Sequence, residues 1–130
     1  MHLDFKKERD EDFINAYNDV VKSHGKQAPY ILKDKLIEET ILHPAKRFYV
    51  SHEQASRIIM KMIAGKKTGI RNTIKAEMYQ TILSKIRELQ RNSRKSVSSL
   101  LSEVIDSPAP RFYISKESAS ILYYTLIKRK

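Results

Sequence analysis

A chain of 130 residues can bury one sizeable core, or two repeat units that share a core, whereas two independent cores of about 65 residues would each be marginal. Its 41% hydrophobic content with only 3 Gly and 4 Pro excludes a disordered tail, and the lack of cysteine excludes disulfides and thiolate zinc sites. The 25 Lys+Arg against 15 Asp+Glu leave a formal net charge of +10, which draws polyanions: nucleic acid first, then acidic membrane surfaces or acidic proteins.

The opening residues, Met1 to Asp10, contain no apolar h-region, and no apolar run approaches the ~20 residues that span a bilayer. Neither export nor membrane insertion is expected, and a cytoplasmic setting fits a cysteine-free chain. The first helix is predicted from Glu8 to Lys22, with Phe13, Ile14, Tyr17, Val20 and Val21 on one face. Asp10, Glu11 and Asp12 then fall in its first turn, where carboxylates suit the helix dipole. Gly25 supplies the stop. Pro29 suits the first turn of a second helix that reaches Leu42 and shares Leu32, Leu36, Ile37 and Ile41 on one face. Pro44 ends it.

Arg47 to Val50 reads as extended, because aromatic and β-branched neighbours prefer that conformation. Ser51 is an N-cap candidate with Glu53 behind it, opening a third helix from His52 to Ala64. Its apolar face is Ala55, Ile58, Ile59, Met62 and Ile63, opposite Gln54, Arg57 and Lys61. Gly65-Lys66-Lys67-Thr68-Gly69 forms a link. The longest helix follows from Asn72 to Gln90, striped by Ile74, Met78, Ile82, Ile86 and Leu89 and widened by Tyr79 and Leu83. After the basic turn 91–96, Ser96 caps a helix from Val97 to Ile105, and Ser115 with Glu117 opens the last one, from Lys116 towards Lys130.

One stretch occurs twice. His43-Pro44-Ala45-Lys46-Arg47-Phe48-Tyr49-Val50-Ser51 returns sixty-four positions later as Ser107-Pro108-Ala109-Pro110-Arg111-Phe112-Tyr113-Ile114-Ser115. The match extends to Leu36, Glu39 and Ile41 with Leu100, Glu103 and Ile105, and to Glu53, Ala55 and Ser56 with Glu117, Ala119 and Ser120. Each repeat reads helix, helix, extended aromatic turn, helix. The expected fold is therefore all-α: two duplicated three-helix units, residues 1–65 and 66–130, packed as one compact helical domain.

Within the repeated stretch, Phe48 and Phe112 are expected to plug the gap between their own second and third helices, each worth about 1.5 to 3 kcal/mol. Tyr49 and Tyr113 can bury a ring and still offer a hydroxyl. Arg47 and Arg111 would bridge carbonyls at the preceding helix end or meet Glu39 and Glu103. The other reading is an Arg-aromatic surface that grips phosphate and stacks on bases. The copies differ in their third helices: Arg57 corresponds to Ile121, and Ile59-Met60-Lys61 to Tyr123-Tyr124-Thr125. Ile121 and Tyr124 lie off the face set by Ala119, Leu122, Leu126 and Ile127, so they are candidates for self-association, inter-repeat packing or a partner protein.

Catalytic and metal chemistry finds little support. His2, His24, His43 and His52 lie in separate segments without His-x-x-x-His or Glu-x-x-His spacing, so no metal site is expected, and no cofactor is implied. Gly65-Lys66-Lys67-Thr68 lacks the upstream glycine and strand of a P-loop, and no nucleophile elbow or kinase motif occurs. An enzyme is not expected. Basic residues do cluster: Lys61, Lys66, Lys67, Arg71 and Lys75 around the link; Lys85, Arg87, Arg91, Arg94 and Lys95 at the end of the long helix and its turn; and Lys128-Arg129-Lys130 at the C-terminus. Such groups either grip phosphates without reading sequence or form a solvated face. A standard helix-turn-helix is disfavoured, since the connection before each Ser-capped helix is about eight residues long and contains proline, against the usual three or four.

The two segments Pro44–Ser51 and Pro108–Ser115 resemble a stretch in small uncharacterised bacterial and phage or mobile-element proteins. The resemblance covers the repeat motif and the long helix before it. It implies a phage or mobile-element origin and carries no activity, cofactor or binding residue. The sequence thus points to a binder of DNA or RNA, or alternatively to a structural or adaptor protein acting through self-association or protein partners.

Overall fold

A computed structural model of the protein describes residues 2–128, with side chains from Lys6 onward. Six α-helices make up most of it: α1 His2–His24, α2 Lys33–Ile41, α3 His52–Ile63, α4 Thr73–Gln90, α5 Val97–Ile105 and α6 Lys116–Lys128. A 3-10 segment, Gly25–Tyr30, joins α1 to α2. The helix starts obey local chemistry. Ser51 Oγ accepts from Gln54 N (3.2 Å), Ser96 Oγ from Ser99 N (3.2 Å) and Ser115 Oγ from Ser118 N (3.1 Å). Asn72 Oδ1 takes two donors, Ile74 N and Lys75 N, at 2.9 and 3.1 Å. Each cap satisfies N–H groups that a first helical turn leaves without an intrahelical partner.

Two sequence expectations are corrected at the N-terminal end. The second helix begins at Lys33 instead of near Pro29, because Pro29 lies within the 3-10 segment and Ile31 and Leu32 are extended. Leu32 consequently leaves the buried face and is 73% exposed. Helix α1 begins at His2, so Asp10, Glu11 and Asp12 sit well inside it and not in its first turn. Asp10 and Asp12 are buried: Asp10 Oδ1 pairs with Arg9 Nη2 at 3.1 Å, and Asp12 Oδ2 accepts the backbone N–H of Lys46 at 2.8 Å.

The helices pack as two compact units, residues 1–46 with 108–130, and residues 47–107. The first holds α1, α2 and α6; the second holds α3, α4 and α5. These units differ from the sequence halves 1–65 and 66–130, because the third helix of each repeat packs with the first two helices of the other. The exchange takes place inside the repeated stretch, between Lys46 and Arg47 and again between Ser107 and Pro108.

In the first unit, Ala45 and Ala109, counterparts in the duplication, form an antiparallel pair with reciprocal N–H to O=C bonds of 3.0 Å. Phe112 donates its N–H to the carbonyl of Ile41 (2.8 Å), and its ring meets Phe13 edge to face, centroids 5.7 Å apart. Tyr17 of α1 lies against Tyr123 of α6 at 4.6 Å. Its phenol is pushed well above the ordinary range, chiefly by burial and secondly by Tyr123. Lys116 at the start of α6 reaches Glu38 of α2 at 2.7 Å. In the second unit Phe48 makes the equivalent bond, its N–H to the carbonyl of Ile105 (3.0 Å). Its ring is fully buried, in a core that includes Ile59, Ile82, Ile86, Leu100 and Leu101.

The expectation that each Phe plugs its own repeat is therefore corrected: each is hydrogen-bonded to the second helix of the other copy. Of the two partners expected for the Arg side chains, Glu39 and Glu103 are taken elsewhere. Arg47 pairs with Asp106 (3.4 Å), while Glu39 takes His24 and Glu103 takes Lys95, both at 2.6 Å. Arg111 Nε donates to the Phe112 carbonyl (3.2 Å), and its guanidinium lies 5.6 Å from the Tyr113 ring centroid. On α6 the most buried residues are Ala119 and Tyr123, with Leu122 and Leu126 half-buried and Ile127 at the exposed edge.

Candidate nucleic-acid interface

Charge is distributed unevenly over the chain. Residues 47–107 contain twelve Lys and Arg against five Asp and Glu, a formal +7 of the chain's +10 on fewer than half of its residues. Among these carboxylates Asp106 pairs with Arg47 and Glu103 with Lys95. Among the described residues, none of Lys61, Lys66, Lys67, Arg71, Lys75, Arg87, Arg91 and Arg94 lies within ion-pair distance of a carboxylate. Most of the positive charge concentrated here is thus not paired with a carboxylate.

The local fold explains where these cations go. Helix α3 closes with Gly65 at φ +73°, Gly65 N donating to Met62 O (3.1 Å) and Lys66 N to Lys61 O (2.9 Å). That bond pair is the Schellman closure, and its left-handed residue favours glycine. The chain then turns out of α3 and Lys66 and Lys67 emerge exposed. Ile70 N donates to Thr68 Oγ1 (3.3 Å), steadying the link before Asn72 caps α4. Arg71 and Lys75 flank that cap, and no carboxylate occupies the first turn of α4. Cations at a helix N-terminus oppose the dipole, so this end combines fixed and partial positive charge at some cost to the helix.

A cleft of about 460 Å³ lies between the end of α3, the link and α4. Ala76, Tyr79, Gln80, Leu83 and Arg87 line it from α4, and their spacing of three or four residues puts them on one helical face. At 1.5 Å per residue that face runs about 16 Å. Met62, Gly65, Lys66, Thr68 and Ile70 complete the walls. Lys66 and Arg87, far apart in sequence, therefore share one cleft that no carboxylate lines. Burial raises the Tyr79 phenol, an effect that Arg57 partly offsets.

The remaining predicted cations divide between the two ends of α4, whose 18 residues span about 27 Å. Lys61, half-buried in the last turn of α3, with Lys67, Arg71 and Lys75, belongs to the link end. Arg91 is the C-cap of α4 and Arg94 is exposed in the following turn. Lys95 is committed to Glu103, and its backbone N–H to Ser93 Oγ (3.1 Å). Of the C-terminal group, Lys128 is exposed, and Arg129 and Lys130 lie outside the described residues. The cleft residues Thr68 and Gln80 carry no signal in the sequence beyond their position, and Tyr79 reads there only as part of an apolar stripe.

Ile121 and Tyr124 are on the surface of α6, 69% and 42% exposed. Among the described residues no group of three or more His, Asp or Glu side chains is arranged to hold a metal ion, and no helix is long and apolar enough to cross a membrane. His52 instead donates from Nε2 to Ser98 O (3.3 Å), and His43 from Nδ1 to Pro44 O (2.8 Å). Comparison with protein-family models, with curated proteins and with solved structures finds no match.

Proposed function

We propose that this is a cytoplasmic, non-enzymatic protein that binds DNA or RNA through the phosphate backbone, using the cations of residues 47–107. The observation that carries this reading is the set of eight Lys and Arg side chains without a carboxylate partner around α4. Self-neutralised surfaces bind polyanions poorly, whereas unpaired Lys and Arg release counterions when phosphates replace them. Phosphate contacts of this kind set affinity and register without selecting bases. Fluorescence anisotropy with labelled duplex DNA, single-stranded DNA and RNA, titrated over a range of salt, tests it. Binding whose log K falls linearly with log salt supports the proposal, and the absence of binding at low salt refutes it.

A second reading rests on α6, where Ile121 and Tyr124 stand exposed beside the half-exposed edge of Ile127. An apolar strip of this sort fits a homo-oligomer or an adaptor with a protein partner. Under that reading Tyr124→Glu lowers the mass measured by light scattering; an unchanged mass counts against it.

A further inference from the structure

We infer that the cleft along α4 receives a single unpaired nucleotide of a bound strand, its phosphate held by Lys66 and Arg87 and its base lodged against the apolar wall. This assignment rests on the nucleic-acid reading above and makes it more specific, from a charged surface to a site with a defined occupant. Two cations line the cleft and no anion does, so an anionic group is the matching ligand. The rest of the lining is not what a bare anion needs. Met62, Ile70 and Leu83 offer apolar surface, and the Gln80 amide and Thr68 hydroxyl offer both donors and acceptors.

Tyr79 adds to that wall: the residue is 98% buried and lines the cleft. A tyrosine held in this way offers a rigid apolar ring with a polar hydroxyl beside it. An aromatic heterocycle with polar edges, joined to a phosphate, meets all three demands together: charge, apolar contact and hydrogen bonding. The volume of about 460 Å³ lies within the usual range for small-ligand sites, roughly 300 to 1,000 Å³. A paired base is stacked in its helix and shows the protein only its groove edges, so the occupant is a base at an end, in a loop or in a single strand.

The test uses the full chain, with the four nucleoside monophosphates, their nucleosides, inorganic phosphate, a single-stranded oligonucleotide and a duplex as probes in calorimetry and anisotropy. Monophosphates should bind, with nucleosides and phosphate each at least about tenfold weaker, and the oligonucleotide should bind more tightly than its monomer. Ala76→Phe fills the cleft and should weaken monophosphate and single-strand binding by about tenfold or more while leaving duplex binding within about twofold; Arg87→Gln removes one cation and should weaken monophosphate and single-strand binding by more than it weakens duplex binding. Gln80→Ala, at an exposed position, gives a third variant if circular dichroism shows that Ala76→Phe misfolds. Monophosphate binding unchanged by all of these variants overturns the assignment, as does phosphate binding as tightly as the monophosphate. A monophosphate that gains nothing from being part of a strand shows a site for free nucleotide and overturns the strand assignment. Duplex binding without any monophosphate binding overturns the cleft assignment alone and leaves the broader reading standing.

Discussion

Asp12 shows how one side chain can hold a distant piece of chain. It is buried in mid-α1, and its carboxylate accepts the Lys46 N–H at 2.8 Å, where the repeated stretch begins its exchange. Asp12→Ala takes the carboxylate acceptor away from that donor, and the expected loss is about 1 to 3 kcal/mol in urea-unfolding stability. The pair Glu38–Lys116 makes a different prediction. Lys116, by hydrogen bonding first and by its charge second, holds the Glu38 carboxyl below its ordinary value, and Glu38 in turn raises Lys116. A carboxyl with a depressed folded pKa contributes stability that is complete above its unfolded pKa and lost as pH falls through the folded one. Acid titration of the melting temperature should therefore show a slightly flatter acid limb in Glu38→Gln than in the parent. The effect is small because the pair is solvent-exposed.

Helix boundaries were legible wherever a short polar side chain caps the next turn. Ser51, Ser96 and Ser115 all accept the N–H three residues on, as their positions before apolar-periodic runs suggested, whereas Asn72, read from the sequence as the first residue of its helix, is the cap of α4. Less legible was the start of α2, since Pro29 is compatible with both an α-helical first turn and the 3-10 segment it occupies. The buried face of α6 was also misplaced by one position, because the large Tyr123 turns inward on Tyr17 while Ile127 stays at the rim. Gly65 tests the closure of α3. An added Cβ there meets nothing within 4 Å, so the cost of Gly65→Ala comes only from the backbone at φ +73°. A loss of about 1 kcal/mol or slightly more is expected in thermal or urea unfolding. Phe48→Ala, by contrast, empties a fully buried site and should cost about 3 to 5 kcal/mol.

At the scale of the whole molecule, periodicity identified the helices but not their partners. The two repeats offer matching apolar faces, Leu36, Ile37 and Ile41 in one and Leu100, Leu101 and Ile105 in the other. A third helix can therefore dock on either pair by the same chemistry, and only the path of the repeated stretch decides between them. The physical unit is consequently 47–107, and a fragment of those residues should keep helical circular dichroism and a cooperative melt. A fragment of 66–130 lacks α3 and should show neither as a monomer. The basic clusters could be read from sequence, as could their two groups; the cleft could not, because it forms only when the link folds back along α4.

The central claim is that charge acts through its location in residues 47–107 and not through the net value of the chain. The most direct measurement compares two variants with the same change in net charge: Lys66, Lys67, Arg71 and Lys75 replaced by Gln, against Lys6, Lys7, Lys22 and Lys26 replaced by Gln. Salt-titrated anisotropy on one nucleic-acid probe should show the first variant losing most of its binding, with its log K against log salt slope reduced by about 3 to 4 for duplex. The second variant should keep nearly the parental slope. Equal losses in both, or no loss in the first, would contradict an interface in residues 47–107.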